Sequence, residues 1–185
     1  MPDSPNPLLQ AVLRAAIDAT GATQGWLLAT TGDELVVRAA VGADGQILGA
    51  RVPLHSGFAG YVASSGQPLA MSPRRDDERG AEGVAALVGT RPQSVLAVPC
   101  GTDDSVHGVL ELVEKVGGGP FSFDDVELAT LIAGIAGAAL ASDAATGSEA
   151  PSPRELGDNL VHLASADPAR YATLATFLAA VLNDG

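Results

Sequence analysis

Four places in the chain bring together residue types that can do chemistry. Residues 53–69, PLHSGFAGYVASSGQPL, set His55 beside Ser56 and place Phe58 three residues before Tyr61 among three glycines. A histidine next to a hydroxyl suggests a base and a nucleophile, but adjacent side chains rarely align that way. GYVASSG also has the wrong spacing for a Gly-x-Ser-x-Gly elbow, so Ser64 and Ser65 read as the end of a helix. Gly57, Gly60 and Gly66 do not form Gly-x-Gly-x-x-Gly and no lysine follows, which argues against dinucleotide or Walker-type phosphate binding. Ser56-Gly57 nevertheless opens a helix whose free N–H groups would hold a small anion if nearby arginines face them. Those arginines are Arg74, Arg75, Arg79 and Arg91, in the polar connection that follows. Glu111 stands mid-strand between Leu110 and Leu112, where a carboxylate must reach solvent, pair, or face a cavity. A half-exposed strand face is the first reading there. Cys100 ends an apolar strand without basic neighbours, which favours a buried inert thiol over a redox sensor.

Metal chemistry finds little to work with. His55, His107 and His162 lie far apart, and none has a second ligand at helical spacing. The doublets Asp76-Asp77, Asp103-Asp104 and Asp124-Asp125 lack the glycine and distal glutamate of a calcium loop. No cofactor and no enzymatic activity are therefore expected. A net charge of −12 opposes nucleic acid and anionic membrane surfaces as partners. One cysteine excludes an internal disulfide and a two-thiol redox cycle within this chain. The most apolar stretch, Leu128 to Ala141, is expected to be too short to span a bilayer, and the first residues lack signal-peptide character. A soluble, cytoplasmic protein is the expectation.

The elements that must position these groups follow from local pattern. Asn6-Pro7 caps a helix whose apolar residues recur from Leu8 to Ile17 and which stops at Thr20-Gly21. Residues 25–30 and 34–40 form a hairpin, 51–54 an extended piece, and 68–71 one more short strand. A turn at 43–45 lies between them. Residues 72–92 make a long connection with a weak helical turn at AEGVAALVG. Residues 94–100 and 107–115 form a second hairpin, apolar on both faces and so covered on both. A long helix follows from 124, capped by Ser122 or Asp124, with acids in its first turn. Residues 146–153 have linker composition, and 154–185 read as two amphipathic helices forming a C-terminal extension to a domain over 1–145.

This order, with VPLHSGFAGYVASSGQPL at 52–69, SVLAVPC at 94–100, HGVLELVEK at 107–115 and FSFDDVELATLIAGIAGAAL at 121–140, resembles a GAF domain over about residues 8–141. The resemblance implies an α+β fold: a central antiparallel sheet, flanking helices, and a ligand cavity on one face. It also implies regulation by a small molecule and homodimers built through the terminal helices. By that analogy Phe58, Tyr61, His55, Arg74, Arg75, Arg79, Arg91, Ala97 and Glu111 are the candidate pocket. The signature of cyclic-nucleotide-binding members is incomplete here, Cys100 is misplaced for bilin attachment, and the thiols of sulfoxide-reducing members are missing.

Two functions fit this reading. The first is a stand-alone sensory module in which a ligand orders residues 72–92 and the terminal helices signal to a partner protein. In the second the pocket is plugged, and the chain is a non-catalytic scaffold or inhibitor docking through Arg170, Tyr171, Leu174, Phe177, Leu178 and Val181.

Overall fold

The structure is a computed structural model that describes residues 6–42, 47–102 and 105–146, together with Val161, Ala164, Ser165, Pro168 and Ala172. The expected turn at 43–45, the Asp103-Asp104 doublet, His162 and the proposed C-terminal docking face lie outside the described residues. The chain divides into two compact units, residues 1–143 and 144–185. In the second, Ser165 Oγ donates to the Val161 carbonyl at 3.2 Å, one helical turn back.

Helix α1 (Pro7–Thr20) begins where sequence placed it, because the Asn6 side chain accepts the N–H groups of Leu8 and Leu9. It ends where Gly21 turns left-handed and donates to the Ile17 carbonyl. Strands β1 (Ala22–Thr31) and β2 (Glu34–Val41) pair as the expected hairpin, and β3 (Arg51–Pro53) adds to β2. Helix α2 (Gly57–Ser65) leads to β4 (Leu69–Met71). The connection holds a 3-10 turn (Glu78–Ala81) and α3 (Val84–Val88). Strands β5 (Val95–Thr102) and β6 (Ser105–Lys115) form the second hairpin, and α4 (Phe123–Thr146) follows.

The six strands make one antiparallel sheet in the order β3-β2-β1-β6-β5-β4. Alternation sends Leu27, Leu96, Val98, Leu110 and Leu112 to one face, where Leu9, Leu13 and Ala16 of α1 meet Ala129, Ala133 and Ala136 of α4. Trp26, Leu28, Val95, Ala97, Val109 and Val113 point to the other face, where Phe58, Ala59 and Val62 of α2 and Val84 of α3 cover them. Apolar side chains on both faces of β5 and β6 are thus both buried, as expected of strands covered twice.

Lys115 joins three elements at one corner. Its ammonium donates to the Thr20 carbonyl at the end of α1, pairs with Asp125 in the first turn of α4, and lies 5.5 Å from the Phe121 ring centroid. Ser122 is the cap: its Oγ accepts the Asp125 N–H while Asp125 accepts the Ser122 N–H, a reciprocal capping box. Burial works against the Asp125 carboxylate, but its bonds to Lys115 and Ser122 outweigh that and hold it below its ordinary value.

Helix α4 separates its two interior glycines. A Cβ on Gly137 would sit 2.5 Å from the Gly101 backbone nitrogen, so helix and sheet touch backbone to backbone there. Gly134 faces open space, on the side where Leu128, Leu131 and Ile135 are exposed. At 24 residues α4 also exceeds the span expected for its apolar stretch; residues 123–142 are long and apolar enough to cross a membrane by length and composition. Its alanine side lies in the core cluster against the sheet, the packing of a core helix.

Candidate functional site

Two of the candidate residues, Ala97 and Glu111, meet a tryptophan beneath α2. The register places Trp26, Glu111 and Ala97 directly opposite one another on β1, β6 and β5, in one row on the α2 face. Glu111 is only 3% exposed, flanked along its strand by Val109 and Val113. The half-exposed strand face expected for it is therefore corrected: α2 lies across this part of the sheet and closes it off. Burial pushes its carboxyl up to about 7, against the bond-forming pull of the Trp26 indole and the Ala59 backbone N–H. Among the described residues no cation offsets it. The indole N–H lies near enough to favour the charged form yet closes no well-formed hydrogen bond, since Trp26 Nε1 is buried without a partner.

The first turn of α2 is occupied by the protein's own acids. Gly57 N–H faces the Glu82 carboxylate at 3.4 Å, and Ala59 N–H faces Glu111. Ser56 does not cap the helix; its Oγ accepts the Gly83 N–H at 3.0 Å. The expectation that this helix start meets the arginines around an external anion is overturned, because the returning connection brings Glu82 there instead. The glycines also serve a different neighbour from the one the pattern suggests. A Cβ on Gly60 would lie 2.5 Å from the His55 carbonyl carbon, and one on Gly57 3.1 Å from the Glu82 carbonyl oxygen. Both permit close approach to loops, with Gly57 at φ +71° besides.

Phe58 and Tyr61 do share a face of α2, and one cation bridges them. The Arg79 guanidinium lies 5.3 Å from the Phe58 ring centroid and 5.6 Å from that of Tyr61. Asp77 holds it in place by two bonds, Nε to Oδ1 at 3.0 Å and Nη2 to Oδ2 at 2.9 Å. That pairing pulls the Asp77 carboxyl below its ordinary value and raises Arg79. Phe58 is buried, whereas Tyr61 is largely exposed, so Arg79 caps the outer end of the α2 face.

The remaining candidates lie elsewhere. His55 is exposed, with Nδ1 at 2.8 Å from Ser64 Oγ; that hydroxyl donates to the Gly60 carbonyl, so the ring N–H is the donor to it. Neither group engages Ser56. Arg74, Arg75 and Arg91 line a separate cavity of about 720 Å³ on the connection. Cys100 is fully buried on the opposite face, and burial pushes its thiol up to about 12, consistent with the inert reading. Sequence reasoning passed over Trp26, Asp77 and Glu82. Only Trp26 gave a usable signal: a lone tryptophan in a strand whose alternate residues are apolar.

A family model for the GAF domain matches residues 3–141. The GAF-B domain of DevS from Mycobacterium smegmatis has a similar fold, with a TM-score of 0.59, 21% identity, and coverage of 77% of this chain and 97% of that one. The GAF domain of a phosphoenolpyruvate-protein phosphotransferase from Acinetobacter matches at a TM-score of 0.65 and 20% identity, covering 77% and 85%. Residues 122 to 287 of a methyl-accepting chemotaxis protein match at 0.62 and 20%, covering 76% and 90%. With its sheet order, its doubly covered hairpin and a family match over most of its length, the chain belongs to the GAF domain family, small-molecule-sensing and regulatory modules of signalling proteins.

Proposed function

We propose that this protein is a non-enzymatic, cytoplasmic sensory module that takes a small molecule on the α2 face and passes the change to a partner protein through α1 and α4. The buried Glu111 carries this reading. An uncompensated carboxyl beneath a short helix costs stability and gives nothing back to packing, which is the arrangement of a site rather than of a core. Arg79, held by Asp77 over Phe58 and Tyr61, supplies the cover. A thermal-shift screen of nucleotides, amino acids, organic acids and haem tests it. A compound at about a hundred times its dissociation constant adds roughly 2.7 kcal/mol to wild type. Glu111→Gln is expected to reduce that gain, and an unchanged response would remove Glu111 from the site.

One observation favours the scaffold reading instead. Trp26, Phe58, Val62, Val95, Ala97 and Val109 are each at most 2% exposed, so side chains fill the α2 face. A screen in which no compound shifts the melting temperature would leave this second reading standing.

The output surface is the outer side of α4, with α1 beside it in the same core cluster. Leu128, Leu131 and Ile135 recur at spacings of three and four and are 41%, 72% and 60% exposed, and Leu8 of α1 is 55% exposed. This is the seam of a helix pair awaiting its match, and a second copy supplies one. Wild type is expected at twice the chain mass by light scattering, and Leu131→Lys with Ile135→Lys at the chain mass with unchanged circular dichroism. Persistence of the dimer in that variant would refute the assignment.

A further inference from the structure

Ten basic residues face twenty-two acidic ones in this chain, yet three of the ten line a single cavity. Arg51, Arg79 and Lys115 each pair with a carboxylate. Among the described residues Arg74, Arg75 and Arg91 have no carboxylate partner. Arg91 Nη1 instead donates to the Arg75 carbonyl at 2.9 Å, fixing the two ends of the connection against each other around the cavity. Asp77 is committed to Arg79, and Glu114 accepts the Gln93 N–H at 3.0 Å. Asp76 and Glu78 line a neighbouring cleft that Arg74 also borders. Three arginines around one cavity with no ion pair among the described residues repel one another less when an anion sits between them.

We propose that the cavity framed by Arg74, Arg75 and Arg91 binds a phosphorylated small molecule carrying at least two negative charges. Three guanidinium forks around one cavity suit the several oxygens of a phosphate better than a single flat carboxylate, which one fork saturates. A volume of about 720 Å³ admits a ligand of nucleotide size. This site is separate from Glu111, but it shares a wall with the cover of that face. Gly80 lines the cavity, and a Cβ there would lie 3.9 Å from the Phe58 ring, one residue from Arg79. An anion gripped here fixes the 3-10 turn and, with it, the guanidinium over Phe58 and Tyr61.

Calorimetric titration of the full chain with sodium pyrophosphate tests the assignment. Wild type is expected to bind at low ionic strength, and to weaken as NaCl rises from about 50 to about 300 mM. Arg74→Gln with Arg75→Gln is expected to weaken binding about tenfold or more. Both positions are exposed, so an unchanged melting curve confirms that the variant folds. Arg51→Gln, whose guanidinium pairs with Glu34 on the β2–β3 edge, should bind as wild type does. Failure of wild type to bind millimolar pyrophosphate, or equal binding by the Arg74/Arg75 variant, overturns the site. Citrate binding as tightly as pyrophosphate overturns the phosphate preference.

Discussion

Glu111→Gln is expected to stabilise the protein by about 3 kcal/mol near pH 8 and to leave it nearly unchanged near pH 4. The sign follows from the raised carboxyl. Unfolded, Glu111 loses its proton around 4.5; folded, it keeps it until about 7. Between those values the folded state binds the extra proton, so stability falls as pH rises through the window and stays low above it. Glutamine cannot ionise and retains a carbonyl for the Ala59 N–H, so the variant is spared that loss. Urea titrations at several pH values between 4 and 8 give the difference between variant and wild type directly. Asp77 and Asp125, held below 3.8, lose their stabilising contribution only as pH falls through their lowered values, outside this window. A difference that stays flat with pH would show that Glu111 is charged in the folded protein and neutralised by a group outside the described residues.

Trp26→Ala is expected to cost about 3–5 kcal/mol, because the indole is among the largest fully buried side chains and its removal opens a cavity next to Glu111. Trp26→Phe provides the internal contrast. Phenylalanine keeps most of the buried area and deletes an N–H that has no bonded partner, so its cost should fall well below that of alanine. Chemical denaturation of both variants at one pH compares them. Equal losses would show that the indole N–H is satisfied after all and that the hydrogen bond, not the ring, holds this row together.

Much of the fold is readable because local rules agree with each other. Asn6-Pro7 and Gly21 bracket α1 by hydrogen bonds formed within a few residues, and the Gly32-Asp33 turn sets the first hairpin. The site was less legible, for reasons particular to each residue. Glu111 shares its strand face with Val109 and Val113, an alternation that signals burial, while its immediate neighbours Leu110 and Leu112 point to the opposite face. Glu82 reaches Gly57 across 25 residues, a contact no local pattern encodes. The four arginines of one connection parted company, Arg79 to the aromatics and the other three to a cavity, because a single acid, Asp77, drew one of them aside. Gly134 and Gly137 look alike in sequence; only the path of the helix over Gly101 distinguishes them.

That crossing has a mechanical meaning. Where Gly137 rests on Gly101, backbone bears on backbone, with no side-chain rotamers between them to absorb a displacement. A packed interior resists compression. A side chain larger than hydrogen on Gly137 would therefore have to force α4 and β5 apart, since no flexible neighbour stands there to give way. Leu131 and Ile135 lie about 9 Å and about 3 Å back along the helix from that crossing, so the exposed apolar residues of α4 stand close to where helix and sheet meet backbone to backbone.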